Sequence, residues 1–280
     1  MTQDIPQQLL RELEQHDYLD LSALYERYPD THFYSLVEAL YRIKAEHGLN
    51  TRISRFITEI EKLTQDLDAK TLTAEQFLSL TKTLDLNQRA QKAARFIHTK
   101  DNHMAFAKPV DVVMFGDSIT EWGPWHDGII GVSVANRGLG GDTTQGMIMR
   151  LESTIVCQPK LVCVMAGIND LAQGYSVDEI IHNYAEMLSF WRQHGIEVWV
   201  QSTLHVGARL ESLNPLVATL NQRLLELCQR HDVAFIDLNS LLCPQGELPI
   251  NCSADDLHLN SKAYATWLTA LNPMLAKRFN

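Results

Sequence analysis

Cysteine is scarce in this sequence. The five residues (Cys157, Cys163, Cys228, Cys243 and Cys252) are an odd count with no C-x-x-C spacing. That pattern excludes a disulfide framework and a thiolate zinc site, and leaves buried free thiols as the reading. No stretch of about 18 apolar residues occurs, so no helix of membrane-spanning length and no membrane insertion are expected. The opening residues, MTQDIPQQLLRELEQHDYLD, lack the basic start and apolar run of a signal peptide, and a cytoplasmic address is the default. Positive charge is short too. Lys and Arg total 24 against 34 Asp and Glu, a net charge of −10, and no basic cluster interrupts the acidic background. Nucleic acid and anionic membranes are therefore poor partners. Metal-ligand spacing is absent as well, so neither a metal nor another cofactor is expected.

A further shortage is local. Before residue 105 the chain has one glycine (Gly48), one valine (Val37), and neither tryptophan nor cysteine; every other glycine and all tryptophans and cysteines come later. Glycine and β-branched residues serve turns and strands, whereas Leu, Glu, Gln, Lys and Arg favour helices. The division predicts an all-helical region over 1–105 and an α/β domain over 106–280. In the first, Leu9, Leu10 and Leu13 mark one helix face. Thr31 can cap a helix carrying Leu36, Leu40 and Ile43 that stops at Gly48. Asn50 or Thr51 can start another, striped by Ile53, Phe56, Ile57, Ile60, Leu63 and Leu67. Thr73 and Gln76 form a capping-box pattern before Phe77, Leu80 and Leu84. Such stripes read as core first, and otherwise as a face for self-association or a protein partner.

In the second region strand and helix alternate. Val110–Phe115, Val132–Ala135, Leu161–Met165, Glu197–Thr203 and Val233–Asp237 read as strands, with helical stretches near 143–153, 178–194, 214–230 and 261–277. Repetition of strand, helix, strand predicts a parallel sheet covered on both faces, and ligands bind beyond the carboxyl ends of such strands. Polar clusters stand at those ends: Gly116-Asp117-Ser118-Ile119-Thr120, then Asn136 to Thr144 (NRGLGGDTT), then Gly167-Ile168-Asn169-Asp170, and Asp255-Asp256-Leu257-His258-Leu259 before the last helix.

These clusters hold what acyl transfer needs. A serine hydroxyl attacks a carbonyl only when a base removes its proton. Ser118 is placed to project its oxygen, His258 is the natural base, and Asp255, three residues earlier, can fix the imidazole tautomer. The Ser118 N–H, a donor from the glycine-rich loop and the Asn169 side chain can hold the oxyanion. Each cluster alone has a plainer reading. Gly-Asp-Ser is ordinary turn chemistry. The glycine-rich loop could cradle phosphate. Asn169-Asp170 could cap a helix. Asp255 and His258 could be a structural pair. Their order at successive strand ends favours the catalytic reading.

Together GDSIT, NRGLGGDTT, GIND and DDLHL resemble the sequence blocks of the SGNH (GDSL) hydrolases, over about residues 108–278. The resemblance implies a flavodoxin-like three-layer α/β/α sandwich with a five-stranded parallel sheet. It implies Ser118 as nucleophile, Gly141 and Asn169 as oxyanion donors with the Ser118 N–H, and Asp255 with His258 as the remaining pair. The second block, followed by Arg150-Leu151, is similar to the platelet-activating-factor acetylhydrolase-like and sialate-O-acetylesterase-like branches, which remove small acyl groups. It says nothing about residues 1–105.

The expected activity is hydrolysis of acetyl or other short-acyl esters of a small-molecule substrate. Thioesterase or lysophospholipase action on longer chains is the alternative, and a non-catalytic module docking a partner through the helical region is the alternative of another class. Trp122 and Trp125, just after the nucleophile block, are candidates to line an acyl or sugar pocket, with loop packing as the plainer role. His205, past the fourth strand, is a candidate substrate contact beside a packing or surface role. Arg137 is expected to be exposed, with an anionic leaving group as its functional reading.

Overall fold

A computed structural model of the chain describes residues 5–16, 18–20 and 94–279, together with 24, 27–28, 39–40, 42–44, 46–49, 51–54, 73 and 76. The chain divides into two units, Met1–Thr99 and Lys100–Asn280.

In the first unit the expected opening helix spans Ile5–Gln15. Its Leu9 and Leu13 are buried with Leu19, Leu24, Leu40 and Ile43 in one apolar cluster. The second helix ends where glycine predicts: Gly48 adopts φ +61°, and the Leu49 N–H reaches the Lys44 carbonyl at 3.0 Å. The Thr73–Gln76 capping box is present, each backbone N–H taken by the other side chain at 2.9 and 3.1 Å. One departure from an all-helical region is clear. Arg52–Ser54, read as the start of a helix, is a strand (β2) paired in parallel with Tyr18–Asp20 (β1). The Thr51 hydroxyl donates to the Leu13 carbonyl at 2.5 Å, tethering the entry to this segment where a free helix start was expected. Thr31, Leu36, and the stripes Phe56–Leu67 and Phe77–Leu84 lie outside the described residues.

The second unit holds a five-stranded parallel sheet: β3 (Val112–Gly116), β4 (Val134–Gly138), β5 (Leu161–Met165), β6 (Glu197–Gln201) and β7 (Ala234–Ile236), in the order β4-β3-β5-β6-β7. β3 and β5 are wholly buried, as all-apolar strands covered on both faces must be. The edge strand β4 lies later than its apolar residues predict, because Asn136, Arg137 and Gly138 pair with Met114, Phe115 and Gly116. An edge strand tolerates such polar residues. In register, Gly116 faces Gly138 on one side and Met165 on the other, so three strands end level. The order reverses direction after β4, which places the switch point of the sheet at the ends of β3 and β5.

The helices Val177–Gln193, Asn214–His231 and Ser261–Phe279 match their expected stretches. The first starts with a capping box between Ser176 and Glu179. The helix expected at 143–153 is instead two short ones, Thr144–Ile148 and Glu152–Ile155. The Ser153 and Thr154 hydroxyls take the Arg150 and Leu151 carbonyls at 2.6 Å, competing with a continuous ladder. Among the described residues no helix is long and apolar enough to cross a membrane. Four cysteines are buried and Cys252 is half-buried, all as free thiols.

Candidate active site

Ser118 opens a one-turn helix, Ser118–Glu121, directly after β3. Asp117 caps it, its Oδ1 accepting the Ile119 N–H at 2.9 Å. As the first helical residue, Ser118 has no helix carbonyl for its N–H. His258 arrives from the turn before the last helix, and its Nε2 lies 2.9 Å from Ser118 Oγ. On the other side of the ring, Nδ1 lies 2.6 Å from Asp255 Oδ2. The Asp255 Oδ1 accepts the main-chain N–H of His258 at 2.8 Å and of Leu257 at 3.1 Å. Burial raises the Asp255 carboxyl, but the hydrogen bonds from the His258 ring and backbone outweigh it and hold the group at about 2. The three side chains thus form one hydrogen-bonded chain from hydroxyl to carboxylate.

The loop after β4 packs against the Ser118–Glu121 helix. Gly141 has φ +80°, a conformation that costs glycine little and other residues more. Gly138 packs so closely on the Glu121 backbone that a side chain has no room. The Glu121 carboxylate accepts the Gly140 N–H at 2.9 Å. Asn169, in the short helix Ile168–Ala172 after β5, donates from Nδ2 to the Asp142 carbonyl at 2.9 Å. One of its two amide hydrogens is therefore engaged in holding the β4 loop.

Beneath these loops lies a buried polar layer that the motifs alone did not indicate. Arg150 is fully buried. It donates to Asp142 Oδ2 at 2.6 Å, to the Arg137 carbonyl at 2.7 Å and to the Gly116 carbonyl at 2.8 Å, and lies over the Phe115 ring. Asp170 accepts from the N–H and hydroxyl of Thr144. Burial lifts the Asp170 carboxyl to about 6 and that of Asp117 to about 7; the Asp117 Oδ2 is buried with no hydrogen-bond partner among the described residues.

The remaining candidates divide. Trp122 is exposed and stacks on the His258 ring, with centroids 4.0 Å apart and planes at 30°. Trp125 is fully buried: its Nε1 donates to the Thr120 carbonyl at 2.6 Å and its ring packs edge-on against Tyr264 and Trp267. It fills the core and presents no surface to a ligand, contrary to the expectation of a pocket wall. His205 is half-buried, its N–H held by Asn239 Oδ1 at 2.9 Å, and its Nδ1 has no hydrogen-bond partner among the described residues. Arg137 is buried, not exposed, and donates to the carbonyls of Ser153, Asn136 and His103.

The sheet order is that of a flavodoxin-like α/β/α fold, and the hydrogen-bonded side chains of Ser118, His258 and Asp255 stand at its switch point. Residues 114–266 match the family model described as GDSL-like lipase/acylhydrolase, and the chain belongs to that family. An N-acylneuraminate cytidylyltransferase of Streptococcus agalactiae is 28% identical over 131 residues, 47% of this chain and 32% of that protein. The chain thus spans about a third of that relative's length. An isoamyl acetate-hydrolyzing esterase 1 homolog of Bos taurus is 25% identical over 203 residues, 60% of this chain and 82% of that protein. Among solved structures, a GDSL-like lipase from Bacteroides thetaiotaomicron aligns with a TM-score of 0.59 at 23% identity, covering 66% of this chain and 99% of that one. An acetyl xylan esterase aligns with a TM-score of 0.52 at 18% identity, covering 59% and 99%. At these identities the two structures speak to the fold.

Proposed function

We propose that the protein is a serine esterase that removes acetyl or other short acyl groups through an acyl-enzyme. The observation that carries this reading is the chain Ser118 Oγ to His258 Nε2 at 2.9 Å and His258 Nδ1 to Asp255 at 2.6 Å. Ser118 attacks the ester carbonyl while His258 takes its proton. Asp255, ionised at any pH well above 2, stabilises the imidazolium. The N–H groups of Ser118 and Gly141 and the second Asn169 amide hydrogen receive the developing oxyanion. His258 returns the proton to the leaving alkoxide, and water repeats the sequence on the acyl-enzyme. The leaving alcohol is released beside Trp122, whose outer indole face offers it an apolar platform. The Nδ1 of His205 is buried and offers no atom to a substrate, so only the rest of its half-buried ring is kept as a substrate contact in this reading. The preference for short acyl groups draws on the acetate ester named for the bovine relative.

The test is a panel of p-nitrophenyl acetate, octanoate and palmitate, run on the unsubstituted chain and on Ser118→Ala. Acetate should be turned over best, and Ser118→Ala should lose at least about 10³-fold in kcat. Preference for palmitate would overturn the short-acyl reading, and undiminished hydrolysis by Ser118→Ala would overturn the mechanism.

A further inference from the structure

The turn that carries Asp255 and His258 is tied from within and from outside. Within it, Asp255 Oδ1 and Ser253 Oγ both accept the Leu257 N–H, each at 3.1 Å, and Asp255 Oδ1 also accepts that of His258. These bonds organise the N–H side of the turn. The carbonyl side is held by a different segment, the loop and 3₁₀ turn after β6. Gly207 donates its N–H to the Asp256 carbonyl at 2.7 Å. Arg209 Nη2 donates to the Asp255 carbonyl at 2.8 Å, and the Arg209 N–H reaches Asp256 Oδ2 at 3.3 Å. The Arg209 Nε stands 3.9 Å from the same carboxylate oxygen. Gly207 is so close to the Asp256 side chain that a Cβ there would collide with it.

Asp256 has φ +65°, the left-handed region where glycine is the unstrained choice. An aspartate tolerates this conformation better than most residues, and here its carboxylate faces Arg209. The pair is only partly shielded, with Arg209 at 43% and Asp256 at 25% side-chain exposure, so its Coulomb attraction alone adds little to stability. Its leverage is geometric. Arg209 holds the Asp255 carbonyl and the Gly207 N–H holds that of Asp256; both carbonyls belong to the peptide groups joining Asp255 to Leu257, and their orientation sets where the Asp255 carboxylate points.

We propose that Arg209 and Asp256 form a clasp that aims the Asp255 carboxylate at His258, making both of them positioning residues for the hydrolysis. The inference rests on the esterase reading above for its kinetic consequence, but its structural claim can be read without turnover. The experiment compares the full chain with Arg209→Ala, Arg209→Lys and Asp256→Gly. Glycine suits the backbone at 256, so that variant removes the carboxylate without adding strain. One readout is kcat and KM on p-nitrophenyl acetate. The other is the downfield NMR resonance of the proton shared by His258 Nδ1 and Asp255. Arg209→Ala and Asp256→Gly should lower kcat by about tenfold with KM held within about twofold. Both should also weaken or shift the resonance. Arg209→Lys keeps the charge but not the planar fork, and should restore part of both signals. A resonance unchanged in both Arg209→Ala and Asp256→Gly overturns the clasp, whatever the rates do. An unsubstituted chain with the resonance but no turnover overturns the esterase reading instead, and the clasp is still judged on the resonance.

Discussion

Glu121 stands one turn after Ser118, and its carboxylate holds the N–H of Gly140, the neighbour of Gly141. Its main-chain carbonyl also accepts from Asn136 Nδ2 at 2.9 Å. One residue therefore joins the helix of Ser118 to the loop proposed to hold the oxyanion. Glu121→Ala should reduce kcat by about tenfold, whereas Glu121→Gln, which keeps an acceptor, should stay within about threefold. Steady-state kinetics on an acetate ester check this, and equal losses in the two variants would count against a hydrogen-bonding role. Asp117 makes a different prediction. Burial carries its carboxyl from the ordinary 3.8 to about 7. Between those values the folded chain keeps a proton that the unfolded chain has released. This contribution to stability is fully present below about pH 4 and is lost as the pH rises through about 7. In Asp117→Asn that loss should disappear, flattening the dependence of Tm on pH across the window; an unaltered slope in thermal unfolding would contradict the assignment.

At the scale of elements, the site depends on β3, β4 and β5 ending level, and Arg150 fastens the ends of β3 and β4 together. It reaches the last residue of β3, the fourth of β4 and the loop carboxylate of Asp142 from one buried guanidinium. The break in the helix after Ile148 lets this side chain turn inward, and hydroxyl back-bonds from Ser153 and Thr154 shape the break. Arg150→Met leaves Asp142 as an uncompensated buried charge and takes one donor from each of the Gly116 and Arg137 carbonyls. Such a loss costs about 3–5 kcal/mol, which denaturant unfolding would register as a lower midpoint. A shift below about 1 kcal/mol would mean that the layer relaxes around the missing cation.

Across the whole molecule, the second unit begins at Lys100, six residues before the compositional boundary. The Arg137 guanidinium explains part of the difference, since its Nη2 donates to the His103 carbonyl at 3.1 Å. A chain starting at residue 100 should accordingly unfold at a higher denaturant midpoint than one starting at 106, by about 1–3 kcal/mol; equal midpoints would show the contact to be dispensable. Much of the fold was legible in the sequence for a physical reason. Runs such as Leu161–Met165 and the stripes of the long helices carry a period, and the polar clusters following them mark strand ends. Ser118, Asp255 and His258 were legible because each sits in a short local pattern. The supporting contacts were not. Arg209 meets Asp255 and Asp256 across more than forty residues, and a side chain bridging such a separation leaves no periodic trace. Trp125 misled because a tryptophan beside a nucleophile looks the same in sequence whether it faces a ligand or the core.

The stacking of Trp122 on His258 gives the protein an optical reporter of its own chemistry. Trp125, Trp191, Trp199 and Trp267 are buried, so Trp122 is the indole most open to an aqueous quencher. It is also the one stacked against the ring that meets the Ser118 hydroxyl. A positive charge appearing on His258 draws on the π-electrons above it. On the esterase reading, the emission that aqueous iodide can quench should therefore change when an acyl group occupies Ser118, with no label attached.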